Sequence, residues 1–230
     1  MTKQQIPERL WLWFFPRRCV WCSGVTEPDA MLCADCAGNA EMLEPGLLEG
    51  TDIPLVSAFT YHSKARQILL NFKFHGAKNT AHSIAYAMAD ALSASKTADK
   101  PGWLFCAVPM TPAKVKTRGY NQSELLAKAA ARWLGMDFAL GLLVKTRETQ
   151  AQHGLQKEQR QSNIAGAFAA ANPGLSWARK IVLCDDICTT GATLREAVRV
   201  LREAGAKDII CLTYLRTDLE ETHAEGNFSI

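Results

Sequence analysis

The chain has 230 residues, 48% of them hydrophobic and 21% charged, with a formal net charge of +3 at pH 7. These proportions belong to a globular protein with room for one medium domain and a small appendage. So weak a positive balance does not by itself argue for a nucleic-acid partner, and no apolar run approaches the ~20 residues needed to span a bilayer.

Near the start, Leu10-Trp-Leu-Trp-Phe-Phe15 is conspicuously aromatic. It is short, is preceded by few cations (Lys3, Arg9), and has no small-residue cleavage site behind it. It therefore does not read as a signal peptide, and packing against the next module is the expectation. That module carries Cys19-Val-Trp-Cys22 and Cys33-Ala-Asp-Cys36, two C-x-x-C knuckles separated by ten residues. Each knuckle can present two thiolates from one turn, and the two together make a tetrahedral S₄ set suited to a structural Zn²⁺ with no open position. The gap is shorter than the common zinc-ribbon spacing, though a hairpin through Pro28 and Asp29 closes it. Two local disulfides or a redox C-x-x-C are the alternatives. Neither accounts for the duplicated spacing, and no thioredoxin-like βαβ pattern surrounds it. The other cysteines include Cys106, Cys184 and Cys211 in apolar segments that read as strands, where a free thiol acts as a small hydrophobe. That usage fits a reducing compartment, the cytoplasm.

Met42 to Pro54 is rich in Gly, Pro and acids and reads as a linker. Leu55 to Tyr61 is the first predicted strand of the larger domain, followed by helices over Lys64–Phe72 and about Asn79–Ser93. Between those helices lies Phe72-Lys73-Phe74-His75-Gly76. Lys73 is a candidate phosphate contact there, while His75 and His82 have no partner spacing that argues for a metal. Trp103 to Val108 is the next buried strand. It runs into Pro109–Tyr120, a predicted loop carrying Lys114, Lys116 and Arg118. Asn121-Gln-Ser-Glu124 reads as a capping box, opening a helix whose Leu125, Leu126, Ala129, Ala130, Trp133 and Leu134 form one apolar face. This second strand–loop–helix unit aims a helix N-terminus and several cations at one end of the sheet, a second anion site. Leu142–Lys145 is a further short strand, and the polar stretch Thr146–Ser162 reads as a lid or a disordered loop.

The densest pattern is Arg179-Lys-Ile-Val-Leu-Cys-Asp-Asp-Ile-Cys-Thr-Thr-Gly-Ala-Thr-Leu194. Ile181–Cys184 reads as a buried strand. Asp185 and Asp186 follow, then the turn Thr189-Thr190-Gly191, then a helix with Leu194, Val198 and Leu201 on one face and Gly205 at its end. The helix's free first-turn amides and dipole favour a phosphate. The two acids sit where open α/β sheets bind ligands, and they call for a diol that donates hydrogen bonds or for Mg²⁺ held through water. A last strand is expected over Asp208–Tyr214, with an acidic tail from Asp218.

This stretch resembles the 5-phosphoribosyl 1-pyrophosphate (PRPP) loop of type I phosphoribosyltransferases. The whole chain resembles the ComF (competence protein F) family, in which a four-cysteine zinc finger precedes a phosphoribosyltransferase domain. The resemblance rests on the cysteine pairs, Phe72–Gly76, Arg118-Gly-Tyr-Asn-Gln-Ser with Leu126-Ala127, Arg147, Thr149, Gln152, Arg160–Asn163, Gly166–Phe168 and the Asp-Asp loop. Cys184 and Cys188 depart from the usual valine or isoleucine and leave the strand apolar.

The resemblance implies a zinc module over residues 1–45, a linker over 46–54, a phosphoribosyltransferase domain over 55–217 and a tail over 218–230. That domain is expected to be an α/β fold with a parallel sheet and helices on both faces. The resemblance further implies PRPP bound with Mg²⁺, and Asp185 and Asp186 on the ribose hydroxyls. Thr189, Thr190, Gly191, Ala192 and Thr193 would hold the 5′-phosphate, with Lys114, Arg118 and Lys73 available to phosphate groups. Cys19, Cys22, Cys33 and Cys36 would hold zinc. The family is associated with uptake and use of external DNA. No motif for recognising a nucleobase acceptor stands out. Two functions therefore follow: a phosphoribosyltransferase of unstated acceptor, or a non-catalytic adaptor for single-stranded DNA or an uptake helicase. For the adaptor, Trp11, Trp13, Phe14, Phe15 and Trp21 beside Arg17 and Arg18 offer stacking surfaces.

Overall fold

The computed structural model describes residues 19, 21–22, 24–27, 30, 32–38, 40, 43–61, 63–74, 78–98, 101–149, 163–171 and 180–217. The aromatic run 10–15, Arg17 and Arg18, Pro28 and Asp29, His75 and Gly76, the stretch 150–162 with Gln152 and Arg160, and the tail 218–230 lie outside the described residues. The chain divides into two compact units, Met1–Glu41 and Met42–Ile230.

The smaller unit is organised by turns. Cys19 N–H donates to Gly24 O at 2.7 Å, closing the first knuckle. The second knuckle is carried by a one-turn helix α1, Ala34–Ala37.

The larger unit is built from β1 (Gly46–Leu47), β2 (Pro54–Thr60), α2 (Ser63–Phe74), α3 (Lys78–Ser95), β3 (Trp103–Ala107), α4 (Pro112–Arg118), α5 (Gln122–Trp133), β4 (Asp137–Phe138), β5 (Leu143–Lys145), β6 (Phe168–Ala170), β7 (Lys180–Cys188), α6 (Ala192–Glu203) and β8 (Ile209–Arg216). Among the described residues the main sheet has the order β1-β2-β8-β7-β3-β4. Pairing from β2 through to β4 is parallel, and β1 is antiparallel on the edge.

The central strands are nearly continuous apolar runs, as a sheet covered on both faces requires. One core joins Leu55, Ile181, Leu183, Ile209 and Cys211 to Leu194, Val198 and Leu201 of α6. On the other face α3 and α5 pack against each other and against the sheet, burying Ile84, Met88, Leu126 and Ala130. Ser57 and Thr213 are buried within the sheet and satisfy each other at 2.7 Å. Phe59 packs edge-on against Tyr214, ring centroids 5.7 Å apart. The predicted α/β fold with helices on both faces is the observed one, with an antiparallel edge strand added.

Three local readings change. The stretch 46–54, read as a linker, is a β-hairpin. Gly46 and Leu47 pair with Leu55 and Pro54, and Leu48 and Ile53 are buried. Thr51 makes the tight turn, its hydroxyl donating to Leu48 O at 2.7 Å and accepting from Ile53 N–H at 3.1 Å. Two apolar anchors are too few to show periodicity.

Pro109–Tyr120 is not a simple loop but contains α4. Pro112 at its first turn needs no N–H partner there, and Gly119 ends it at φ 85°, its N–H donating to Val115 O. Finally, β5 does not join the main sheet but pairs antiparallel with β6 as a separate two-stranded ribbon.

Candidate functional site

Strand β7 runs four residues past the predicted end, so both acids belong to the strand. Adjacent strand residues project to opposite sides, and the two carboxylates accordingly find different partners. Asp185 Oδ1 accepts from Ser123 Oγ of α5 at 2.7 Å and from Asp186 N–H at 2.9 Å. Asp186 Oδ2 lies 2.9 Å from Lys73 Nζ of α2, with the side chains only 11% and 19% exposed. Burial first, and then repulsion from Asp186, push the Asp185 carboxyl up to about 7. The Ser123 and Asp186 hydrogen bonds and the Lys73 charge only partly oppose this.

The stretch around α4 is fastened to this corner by Tyr120 and Asn121. Tyr120 Oη donates to Phe72 O at 2.6 Å, and its ring stacks obliquely on Phe72 at 5.8 Å, tying the stretch to the turn that presents Lys73. Asn121 occupies the N-cap of α5, but the capping-box hydrogen bond is absent. Its Nδ2 donates instead to Val108 O at 3.1 Å. The predicted capping box is thus corrected: a tertiary partner takes the side chain of its N-cap residue, Asn121. Arg118 Nη1 donates to Gln122 Oε1 at 3.1 Å.

Across from α4 stands the end of β5. Buried Thr111 donates its hydroxyl to Glu148 Oε1, and Lys114 Nζ lies 3.8 Å from Glu148 Oε2. Lys145 Nζ donates to Thr149 Oγ1 at 3.0 Å and sits 5.6 Å above the Phe168 ring. Its pKa is lowered by burial first and by the Lys114 charge second, against the pull of Glu148 and Asp185. Arg147 Nη2 reaches Asn163 O and Ala165 O at 3.0 and 2.6 Å, fixing the chain that leads into β6. Glu196 of α6 accepts from Gly166 N–H at 2.8 Å and steadies the same segment.

The turn after β7 reaches α6 through Gly191, at φ 69°. A Cβ there would stand 2.8 Å from Leu48 Cδ1 and 3.1 Å from Arg195 Nη1, so both backbone and space require glycine. Ala192 is buried, while Thr189, Thr190 and Thr193 are partly exposed at the mouth of the turn. An N–H-rich turn leading into a 12-residue helix is a suitable anion cradle.

In the smaller unit the Sγ atoms of Cys19, Cys22, Cys33 and Cys36 all lie within 4.8 Å of one another, and Cys22 Sγ is 3.6 Å from Cys33 Sγ. Tetrahedral thiolates around Zn²⁺ would be about 3.8 Å apart, given bonds of about 2.3 Å. Trp21 N–H and Gly24 N–H each approach a knuckle sulfur, of Cys19 and Cys22, at 3.4 Å. All eight cysteines are free thiols, so the donor set fits a metal.

The sequence-predicted residues therefore separate into groups. Asp185, Asp186, Lys73 and the turn from Thr189 to Thr193 surround the end of β7. Lys114 and Arg118 lie on α4 and are engaged by Glu148 and Gln122. Ser123, Lys145 and Glu148 were not singled out by sequence. Ser123 was hidden inside the apparent capping box, and the other two lie in or beside an unpatterned polar run.

Residues 121–225 match the family model described as a phosphoribosyl transferase domain. The chain is 28% identical over 208 residues to competence protein ComFC of Streptococcus pneumoniae, covering 82% of this chain and 89% of that one. It is 28% identical over 207 residues to DNA utilization protein YhgH of Escherichia coli, covering 86% and 90%. Over 103 residues it is 34% identical to competence protein F of Haemophilus influenzae, covering 44% and 45%. Over most of its length the chain is thus similar to competence and DNA utilization proteins, and its residues 121–225 carry a phosphoribosyl transferase domain.

Proposed function

We propose that the chain binds PRPP with Mg²⁺ at the C-terminal end of β7 and serves the use of external DNA. The observation that carries the first part is the conjunction of Asp185 and Asp186 with the Gly191 turn on one strand–helix junction. The Thr189–Thr193 turn takes the 5′-phosphate through backbone N–H groups and hydroxyls. The two carboxylates accept hydrogen bonds from the ribose hydroxyls, with Ser123 orienting Asp185 and Lys73 balancing Asp186. Lys114 and Arg118 on α4 are the cations this reading assigns to the pyrophosphate. Mg²⁺ supplies neutralisation of that pyrophosphate when bound. In a transfer reaction the C1–oxygen bond to pyrophosphate breaks while the acceptor bonds to C1, so the site must hold charge on the leaving side. Cys19, Cys22, Cys33 and Cys36 hold a structural Zn²⁺, since four thiolates leave no open coordination position.

The link to DNA rests on the names of the relatives, two competence proteins and a DNA utilization protein. No helix among the described residues is long and apolar enough to cross a membrane.

Calorimetric titration with PRPP and Mg²⁺ tests the reading. Binding by the wild type, lost in Asp185→Asn and Asp186→Asn, is expected; no heat in the wild type overturns it. An acceptor screen for released pyrophosphate then separates an enzyme from a binding module. Affinity for single-stranded DNA that falls with salt and survives Asp185→Asn would mark the DNA role as independent of the sugar site.

A further inference from the structure

Glu148 engages a hydroxyl and an ammonium group, Thr111 and Lys114, of the kind that receive an anion. Its Oε1 accepts from the buried Thr111 hydroxyl, and its Oε2 is 3.8 Å from Lys114 Nζ. Thr111 stands at the N-cap of α4 yet makes no side-chain cap bond to that helix. Its hydroxyl is committed across a sequence separation of 37 residues to the ribbon's carboxylate instead. Lys145, partly desolvated, is close enough to Lys114 to feel its charge. Two cations close enough to sense one another repel unless something negative stands near both, and Glu148 is a negative group that both sense. Its side chain is 53% exposed, so it has somewhere to go if a stronger anion arrives.

We infer that Glu148 is an internal stand-in for the pyrophosphate group, occupying Thr111 and Lys114 in the ligand-free protein and withdrawing when a pyrophosphate-bearing ligand binds. The inference rests on the PRPP reading and adds to it the residue that sets affinity for one end of the ligand. A carboxylate carries one charge and two acceptor oxygens. Pyrophosphate carries more of both and wins the exchange, but binding must first release the Glu148 contacts. Ribose 5-phosphate has no group at this position, so its binding leaves Glu148 in place. The site thereby favours the pyrophosphorylated sugar over its hydrolysed product by less than it would without Glu148. In return, the cations stay compensated and oriented between binding events.

The test is calorimetry on the full chain at fixed ionic strength with Mg²⁺, using inorganic pyrophosphate, PRPP and ribose 5-phosphate as probes. Glu148→Gln keeps the shape and removes the charge; Glu148→Asp keeps the charge and shortens the reach to Thr111. Expected is a roughly three- to tenfold tighter binding of pyrophosphate and PRPP by Glu148→Gln, the scale of one half-exposed ion pair lost and one charge-assisted hydrogen bond weakened. Ribose 5-phosphate affinity should stay unchanged, with Glu148→Asp intermediate. A merely structural Glu148 would give the opposite sign, weaker binding of all three probes. PRPP binding by the wild type, with equal or weaker binding of pyrophosphate and PRPP in both variants, overturns the inference alone. Absence of PRPP binding in every form overturns it together with the reading it rests on.

Discussion

Lys73 Nζ lies 2.9 Å from Asp186 Oδ2, and neither side chain is more than a fifth exposed. The lysine enters from the end of α2, and Tyr120 pins the neighbouring Phe72 carbonyl, so three separate segments agree on one ion pair. Lys73 thus meets the acid of the site directly, where phosphate was the expected partner.

Lys73→Met should leave Asp186 largely buried without its counter-charge. A loss of about 2–3 kcal/mol in unfolding free energy is expected, most of it the penalty for the unpaired carboxylate. The double variant Lys73→Met/Asp186→Asn should recover much of that loss. Urea titrations of both variants check this, and equal destabilisation in the two would contradict the pairing.

Asp185 titrates near 7 in the folded chain because burial and Asp186 disfavour its charge, against an ordinary value of about 3.9 when unfolded. Between those values the folded state holds the proton more tightly than the unfolded state. Stability from this group is therefore highest below about pH 4 and is lost as pH rises towards and past 7. Asp185→Asn should accordingly gain stability relative to wild type at about pH 8 and show little gain at about pH 4. Ser123→Ala, which removes a hydrogen bond to the carboxylate, should raise the Asp185 pKa further. Denaturation midpoints across the pH range give the sign directly.

Gly191 sits at φ 69° with Leu48 and Arg195 closing the space a side chain would need. Gly191→Ala should cost about 1–2 kcal/mol for the left-handed backbone alone, and more for the contact with Leu48. If the turn shifts to relieve it, affinity for ribose 5-phosphate falls. A Leu48→Ala background relieves the contact but not the backbone, so the double variant should recover only part of the ligand affinity. Full recovery would show that space, and not conformation, requires the glycine.

The cysteine cluster predicts one zinc per chain. Burial opposes ionisation of Cys19, but backbone hydrogen bonds from Cys33, Cys22 and Trp21 outweigh it and bring the thiol down to about 7. Burial first, then the neighbouring thiols, push Cys36 up to about 12. A cation with two positive charges would reverse that resistance, releasing protons as it binds. Metal analysis of purified protein should find zinc near stoichiometry in the wild type and little in Cys36→Ser, and chelation should melt the small unit's turns in circular dichroism.

Much of this protein is written locally. The β-branched run, the paired acids, the Thr-Thr-Gly turn and the following apolar helix face specify backbone states residue by residue, which is why β7, the turn and α6 were legible. The C-x-x-C spacing likewise determines which thiols can share a turn. Partner choice is not written that way. Ser123 and Asp185 are 62 residues apart, and Thr111 and Glu148 are 37 apart. The first pair meets because β3 lies beside β7 and leads into α5, which packs on β7, and the second because β5 leaves the main sheet for its own ribbon. Sequence order does not reveal either arrangement. The hairpin at 46–54 and the helix α4 were missed for a related reason. Each is short and held by contacts from elsewhere, such as Leu48 against the Gly191 turn, and neither carries a repeating pattern of its own. Local propensity thus decides where the Gly191 turn lies. Which acid is neutralised, which hydroxyl is committed and which lysine is desolvated follow only from tertiary packing, because charges and donors act over distances that the chain covers only by folding back on itself.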